Sequence, residues 1–303
     1  MKLLKDLCQL HGPSGNEREV AKFIVDYISR ECEKWHYKPT FLHGDGFQDN
    51  IILVFGKPRT AIFAHMDSTG FTVRYENQLV PIGSPDVRDG YKIRGSDTLG
   101  PIECSIKVEQ DNRISYSFGR AIQTGTDLVF ASDFRETKDY VQSCYLDNRL
   151  GVYVALRLAE ELKDGIIIFS TWEEHGGGSV PFLTRYIYEK YNIKQALICD
   201  ITWVTDGVRH GDGVAISLRD RNIPRKCFVN KVVHLAEKEN VPFQLEVEGS
   251  GSSDGREVHH SPYPIDWCFI GAPEDNVHSP DEKVHKNDIV SMLELYKVLM
   301  EKL

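Results

Sequence analysis

The sequence lacks three features that would each assign it to a distinctive class of protein. No apolar run approaches the roughly 20 residues that cross a bilayer, and residues 1–6 carry charges where a secretion signal has an apolar core. The seven cysteines are odd in number and form no C-x-x-C pair, which argues against a disulfide framework and a thiolate zinc site. We therefore expect reduced thiols, a cytoplasmic protein and no membrane partner.

Positive charge is also in short supply. The chain has 36 Lys and Arg against 45 Asp and Glu, a net charge of −9 that opposes binding to nucleic acid or anionic lipid. Its hydrophobic content of 41% is ordinary for a globular protein. A length of 303 residues allows one large domain or a core with an inserted module.

Helical and strand patterns alternate along most of the chain. Ser14 and Glu17 have the spacing of a helix capping box, and apolar residues recur behind them at helical spacing to about residue 33. Further patterns predict helices from about Asp147, near 180–190, near 225–239 and at 288–302, and strands at 51–55, 60–64, 165–171, 195–199, 214–218, 243–248 and 266–270. This alternation predicts an α/β core.

Residues from about 76 to 138 have a different pattern. Short, half-alternating segments are broken there by Gly, Pro, Asp and Asn, with no helical stripe. We interpret this region as a small β-rich module inserted into the core. A module of about 60 residues buries little apolar surface alone, so we expect it to pack against another subunit.

The candidate site begins with two adjacent carboxylates, Glu173 and Glu174, which follow an apolar run at 166–169. Strand ends are where α/β proteins place their chemistry, and neighbouring side chains on an extended segment point in different directions. Further ligand-type side chains lie near other strand ends: His65, Asp67, Asp147, Asp200 and His278. Two imidazoles and three carboxylates for metal, with two carboxylates spare, suit a two-metal hydrolase.

Each of these residues alone has an ordinary structural explanation. An Asp at a helix start, such as Asp147, commonly caps that helix, and isolated histidines are commonly hydrogen-bonded structure. Asp200 closes a buried strand, however, where an uncompensated carboxylate is costly and a nearby cation removes the difficulty. The joint pattern therefore favours a metal site.

Five segments together resemble the M42 family of dinuclear-metal aminopeptidases. They are A-H-M-D-S-T-G-F at 64–71, L-D-N-R-L-G at 146–151, E-E-H-G at 173–176, Asp200 and H-S-P at 278–280. The resemblance implies a three-layer, phosphorylase/hydrolase-like α/β catalytic domain formed by residues 1–73 and 139–303. It also implies that residues 74–138 form an inserted β domain used in oligomerisation.

The same resemblance assigns a role to each site residue. Asp147 is implied as the bridge between two metal ions, with His65 and Asp200 completing one ion, and Glu174 and His278 the other. Glu173 is implied as the general base and Asp67 as the carboxylate that orients His65. These ligands suit zinc first, then cobalt or manganese. The implied reaction removes N-terminal residues from peptides by means of a water activated between two ions.

The segments also depart from the family pattern. Ser68 stands where the family usually has Glu, His175 stands where it has an apolar residue, and G-S-G-S-S-D at 249–254 replaces G-G-G-G-T-D. The inserted region is shorter than usual, which leaves the expected assembly open between a dimer and a dodecamer. His175 is a candidate substrate contact. We interpret His259 and His260 as loop residues rather than a second metal pair, and His11 as structural.

Three other functions stay open. A related binuclear amidohydrolase or deacylase acting on small amino-acid conjugates would have the same metal core. A non-catalytic, metal-stabilised binding module would not need the spare carboxylate Glu173. A glycosidase with two carboxylates would leave His65 and His278 unexplained.

Overall fold

A computed structural model describes residues 1–110 and 112–303 of the chain. The described helices are α1 (Lys2–Cys8), α2 (Arg18–Glu31), α3 (Leu146–Ala159), α4 (Val180–Tyr191), α5 (Lys226–Lys238), α6 (Asp254–His260) and α7 (Lys286–Lys302). The described strands are β1 (Thr40–Leu42), β2 (Ile51–Phe55), β3 (Ala61–His65), β4 (Gly70–Val73), β5 (Leu79–Ile82), β6 (Lys92–Asp97), β7 (Gly100–Val108), β8 (Ile114–Ser117), β9 (Asp127–Phe130), β10 (Arg135–Glu136), β11 (Tyr140–Ser143), β12 (Gly165–Ser170), β13 (Gln195–Trp203), β14 (Val214–Arg219), β15 (Phe243–Val247), β16 (Asp266–Asp275) and β17 (Glu282–His285).

The larger sheet has the strand order β1-β2-β12-β3-β13-β16-β17-β11-β10, with β14 paired to β16 and β15 to β14. Strands β12, β3, β13 and β16 are parallel, so their carboxyl ends meet at one edge. Residues 56–60 connect β2 and β3 in the chain, but β12 lies between those two strands in the sheet. This order places the ends of four chain segments side by side.

The larger sheet carries an apolar core on each face. Because neighbouring side chains on a strand point to opposite faces, buried strands such as β2, β3 and β12 supply both cores. Helices α1, α2, α3, α5 and α7 cover one core, and α4 and α6 cover the other. The predicted mixed α/β fold is confirmed; the phosphorylase/hydrolase-like description stays a prediction.

A second, antiparallel sheet occupies residues 70–130 and has the order β5-β4-β9-β6-β7-β8. It has its own apolar core, which includes Phe71, Leu128 and Phe130. Tyr145, just before α3, packs into the same core and stacks on Phe130. Strands β10 and β11 pair within the larger sheet. The domain boundaries at 73/74 and 138/139 stay predictions.

Two strands run further than the sequence pattern predicts. Strands β13 and β16 pair residue for residue from Gln195 opposite Asp266 to Trp203 opposite Glu274. Asp200 therefore lies inside β13 rather than at its end. Partner strands maintain the extended backbone here, past the polar residue where the apolar run stops.

The predicted capping box is wrong. Helix α2 begins at Arg18, and Glu17 at its N-cap makes no side-chain capping hydrogen bond. The Ser14 hydroxyl donates instead to the Asp67 carboxylate at 2.6 Å, and Glu17 accepts the backbone N–H of Trp172 at 3.2 Å. Both side chains therefore tie the N-terminal loop to the candidate site.

The prediction that His259 and His260 lie in a loop is also wrong, since they are the last two residues of α6. The seven cysteines are free thiols, as expected. Within the described part of the chain, no helix is both long enough and apolar enough to cross a membrane.

Candidate metal centre

The structure brings all five predicted ligands together at the carboxyl edge of the parallel strands. Asp147 lies between the two imidazoles: its Oδ1 is 3.2 Å from His65 Nε2 and its Oδ2 is 3.3 Å from His278 Nε2. Asp200 Oδ1 lies 3.6 Å from His65 Nε2, and Glu174 Oε2 lies 3.2 Å from His278 Nε2. The ligand atoms form two triads, and Asp147 belongs to both.

Close packing of α3 against β13 positions Asp147. A side chain at Gly151 would overlap the carbonyl oxygen of Cys199, so only glycine allows this approach. The Asn148 amide donates to that carbonyl at 2.8 Å and accepts the Gly151 N–H at 2.9 Å. The D-N-R-L-G segment therefore docks the start of α3 beside Asp200.

The backbone around the site takes conformations that are unfavourable for bulky residues. Tyr145, Trp172 and His278 have φ values of 65°, 62° and 63°. Each such residue costs about 1–3 kcal/mol, and strained positions of this kind cluster at functional sites. Trp172 directly precedes Glu173, and Tyr145 lies two residues before Asp147, so the strain lies on the segments that carry the ligands.

A hydrogen bond orients the His278 imidazole, and the His65 imidazole faces Asp67 in a close contact. His278 Nδ1 lies 2.9 Å from the Ser84 carbonyl oxygen, so this nitrogen donates and Nε2 faces the carboxylates of Asp147 and Glu174. His65 Nδ1 faces Asp67 Oδ1 at 3.4 Å. Asp67 also accepts the backbone N–H groups of Glu173 and Glu174, each at 3.1 Å. One carboxylate thus positions a histidine and both glutamates.

The cluster carries more carboxylates than its imidazoles neutralise. Burial raises the pKa of Glu174 to about 8, and it raises the pKa values of Glu173 and Asp200 as well. Among the candidate ligands, Asp147 is the exception: burial opposes its ionisation, but hydrogen bonds from His278 and His65 lower its pKa. A divalent cation would remove the cost of these buried charges.

The donor atoms fit such a cation. Imidazole nitrogen and carboxylate oxygen are the ligands of zinc and of other first-row metals. Glu174 Oε1 is buried without a hydrogen-bond partner. Glu173 belongs to neither triad; its Oε2 lies 3.9 Å from His65 Nε2. All the candidate site residues except Asp67 line a cavity of about 400 Å³.

Two buried glutamates, Glu274 and Glu282, lie behind the candidate ligands and were not predicted from the sequence. Glu282 accepts the backbone N–H of Asp147 at 3.1 Å and that of His278 at 3.0 Å. It therefore fixes the backbone of two candidate ligands that come from different chain segments. Glu274 is buried, and neither of its carboxylate oxygens has a hydrogen-bond partner. Burial raises the pKa of both residues. The sequence signal that could have identified Glu282 was its position four residues after the candidate ligand His278.

The other histidines lie outside the two triads. His175 is exposed, and its Nδ1 accepts the Gly83 N–H at 3.0 Å, which joins the loop after β12 to the smaller sheet's loop. His259 Nδ1 accepts from the Trp267 indole at 3.3 Å. His11 is half-buried and uses its backbone N–H to bond Glu19.

Comparison with known proteins places this chain among the peptidases. Residues 110–295 match the sequence profile of the M42 glutamyl aminopeptidases, and the chain belongs to this family. A curated protein from Acetivibrio thermocellus, whose description as an aminopeptidase is provisional, is 27% identical over 97% of this chain and 96% of its own length.

Solved structures of similar fold cover the whole chain. The aminopeptidase APDkam598 from the archaeon Desulfurococcus kamchatkensis superposes with a TM-score of 0.87 at 22% identity, covering 100% of this chain and 94% of that one. The Pyrococcus horikoshii TET1 peptidase, described as assembling into a tetrahedron or a large octahedral shell, gives 0.84 at 22% identity, with 100% and 99% coverage. At these identities the likeness shows the fold.

Proposed function

We propose that this M42 family member is a metal-dependent aminopeptidase that holds two divalent ions on a shared carboxylate. The observation that carries the proposal is the position of Asp147, whose two oxygens face imidazoles from different chain segments. His65 and Asp200 would complete one ion, and Glu174 and His278 the other. Zinc suits these ligands first, with cobalt and manganese as alternatives.

The chain's own residues supply the remaining chemistry. Bound ions would lower the pKa of an attacking water and polarise the scissile carbonyl. Glu173 is the general base: it takes the proton of that water and passes it to the departing amine. Asp67 keeps the Nδ1 proton of His65 in place, and its bonds to the N–H groups of Glu173 and Glu174 hold the base beside the ligands.

The substrate is the N-terminal part of a peptide. The cavity of about 400 Å³ is suited to one residue and its scissile bond rather than to a long chain. Its surplus of carboxylates favours a protonated or metal-facing amine, which restricts cleavage to chain ends.

The smaller sheet is proposed as an assembly surface. Four of its large apolar side chains are exposed: Tyr75, Val80, Leu99 and Val108. A neighbouring subunit would cover these side chains. Light scattering on the purified protein tests this: a dimer or larger oligomer up to a dodecamer is expected, and a particle of 34.5 kDa would refute the interface.

The proposed activity is tested with a panel of aminoacyl-p-nitroanilides assayed with and without chelator. We expect hydrolysis that EDTA or phenanthroline abolishes and that Zn²⁺, Co²⁺ or Mn²⁺ restores. Full activity in protein that elemental analysis shows to be metal-free would contradict the proposal. N-acyl amino acids belong in the same panel. Hydrolysis of these compounds alone would show that the protein is a deacylase and not a peptidase.

A further inference from the structure

The cavity wall beyond the metal ligands is acidic. Three carboxylates lie there, Asp220, Glu246 and Glu248. Within the described part of the chain, no Lys or Arg lines this cavity. The remainder of the wall is uncharged and includes Ile201, Thr202, Trp203 and Phe269. A ligand that enters past the metal ligands therefore meets negative charge on an otherwise neutral surface.

The two deeper carboxylates have no cationic partner. Asp220 is 8% exposed and Glu246 is 3% exposed. Among the described residues, no Lys, Arg or His nitrogen lies within 4.0 Å of either carboxylate. Arg219 is adjacent in sequence, but its Nε donates to the backbone carbonyl of Asp220 at 3.0 Å. Asp220 Oδ2 is buried with no hydrogen-bond partner at all.

Leaving these groups unpaired carries a cost. Burial raises the pKa of Asp220 and of Glu246, because each charge has been removed from water without full compensation. Glu246 receives one hydrogen bond, from the Thr202 hydroxyl. A cation that entered the cavity would satisfy both residues, whereas an apolar occupant would leave them as they are.

The distance from the metal ligands suits the side chain of a substrate's first residue. Thr202, which bonds Glu246, lies two residues beyond Asp200 on β13, a separation of about 7 Å along a strand. The same cavity has apolar surface from Ile201, Trp203 and Phe269. Such a surface suits the methylene stem of a long cationic side chain.

We propose that this acidic wall selects peptides whose N-terminal residue is Lys or Arg, with Asp220 and Glu246 as the specificity-determining residues; the proposal rests on the aminopeptidase function above. A Lys or Arg side chain pairs with the carboxylates at the end of its stem. A leucine side chain leaves them unpaired, and an acidic side chain is repelled.

The first test compares substrates on the metal-loaded wild-type protein. Lysyl- and arginyl-p-nitroanilide are expected to exceed leucyl-p-nitroanilide in kcat/KM by at least about tenfold, which corresponds to about 1.4 kcal/mol. Nε-acetyl-lysyl-p-nitroanilide keeps the whole methylene stem of lysine and adds an acetyl group, but it loses the charge, and it should fall to the leucyl value or below. Equal rates for lysine and its acetylated form, or a preference for leucyl or glutamyl substrates, would overturn the proposal while leaving the aminopeptidase function intact. Absence of hydrolysis for every compound would instead refute the proposed function.

The second test removes each charge in turn. Asp220→Asn and Glu246→Gln should raise KM for the lysyl substrate by about tenfold or more, with little change for the leucyl substrate. Asp206→Asn is the matched control, because Asp206 is exposed in the turn after β13 and does not line the cavity. Equal losses for lysyl and leucyl substrates would indicate a structural role and contradict the proposal. Circular dichroism identifies a variant that fails to fold. If both variants fail to fold, the substrate comparison on the wild-type protein decides whether the proposal holds.

Discussion

The two sheets of this protein treat their charged groups in opposite ways. In the smaller sheet, Asp97 forms a two-pronged ion pair with Arg120 at 2.6 and 2.7 Å, and the pair lowers the pKa of Asp97 to about 2. At the edge of the larger sheet, burial raises the pKa of Glu174 to about 8, and its Oε1 has no hydrogen-bond partner. The difference separates a charge that is satisfied within the fold from one that needs a partner from outside.

The smaller sheet holds its loops together with ion pairs that need nothing further. The larger sheet concentrates buried carboxylates at a single edge, where a purely structural role would favour neutral side chains. Removing a charge should therefore have large effects on chemistry at the edge of the larger sheet and small effects in the smaller sheet.

The largest expected effect is that of the metal on stability. Each ion that binds only the folded state stabilises it by about 2.7 kcal/mol at a concentration of 100 times Kd, so two ions stabilise it by about 5.4 kcal/mol. For a chain of this size, we expect metal to raise Tm by roughly 5–10 °C. Differential scanning fluorimetry with and without Zn²⁺ measures the shift. Asp147→Asn serves as the control and should remove it; a full shift in that variant would place the metal elsewhere.

The next largest effect distinguishes the proposed general base, Glu173, from the proposed metal ligand, Glu174. Glu173→Gln should keep both metals and lose about 10²–10⁴-fold in kcat, because only the proton acceptor is removed. Glu174→Gln should lose metal instead. Elemental analysis together with kcat distinguishes the two. If metal content falls in the first variant and not in the second, the roles of the two glutamates are reversed.

A smaller effect is expected at Glu282, which bonds the backbone of two candidate ligands and is not a ligand itself. Glu282→Gln weakens the acceptor for the backbone N–H groups of Asp147 and His278, and such supporting groups are worth about 10–100-fold in metal affinity. Competition with a fluorescent chelator measures this affinity. The neighbouring Asp281→Asn is a suitable control, because Asp281 bonds the Arg135 side chain away from the ligands. An equal loss in both variants would show a general disturbance of the loop.

The smallest effect on the metal centre is expected in the smaller sheet. Asp97→Asn removes the charge from a partly buried ion pair with Arg120, so it should lower thermal stability while leaving the metal centre unchanged. The kcat and metal content should match those of the wild type. A loss of metal in this variant would remove the distinction between the two sheets.

Local patterns in the sequence were sufficient to predict the larger elements and the seven candidate site residues. His65 and Glu174 follow apolar runs, and the motif order carried the family resemblance. The sequence could not show that Glu282 would hold Asp147, because the two residues are 135 positions apart and meet only through β17. The same is true of Ser14, whose spacing to Glu17 resembled a cap although its hydroxyl bonds Asp67, 53 positions away.

Sequence patterns could not predict the acidic wall of the cavity, for the same reason. Asp220 follows β14 and Glu246 lies on β15, and neither position is distinctive in sequence. Their shared cavity depends on the pairing of β14 with β15 and on the extension of β13 past Asp200 to Thr202. Pairings between distant strands decide such sites, and they leave no local periodicity.

Anomalous diffraction from crystals of the zinc-loaded protein tests the shared-carboxylate site most directly. Data collected on either side of the zinc absorption edge should show two peaks about 3.5–4 Å apart. Asp147 should lie between the peaks, with His65 and Asp200 at one and Glu174 and His278 at the other. A single peak, or two peaks that do not share Asp147, would contradict the proposed centre.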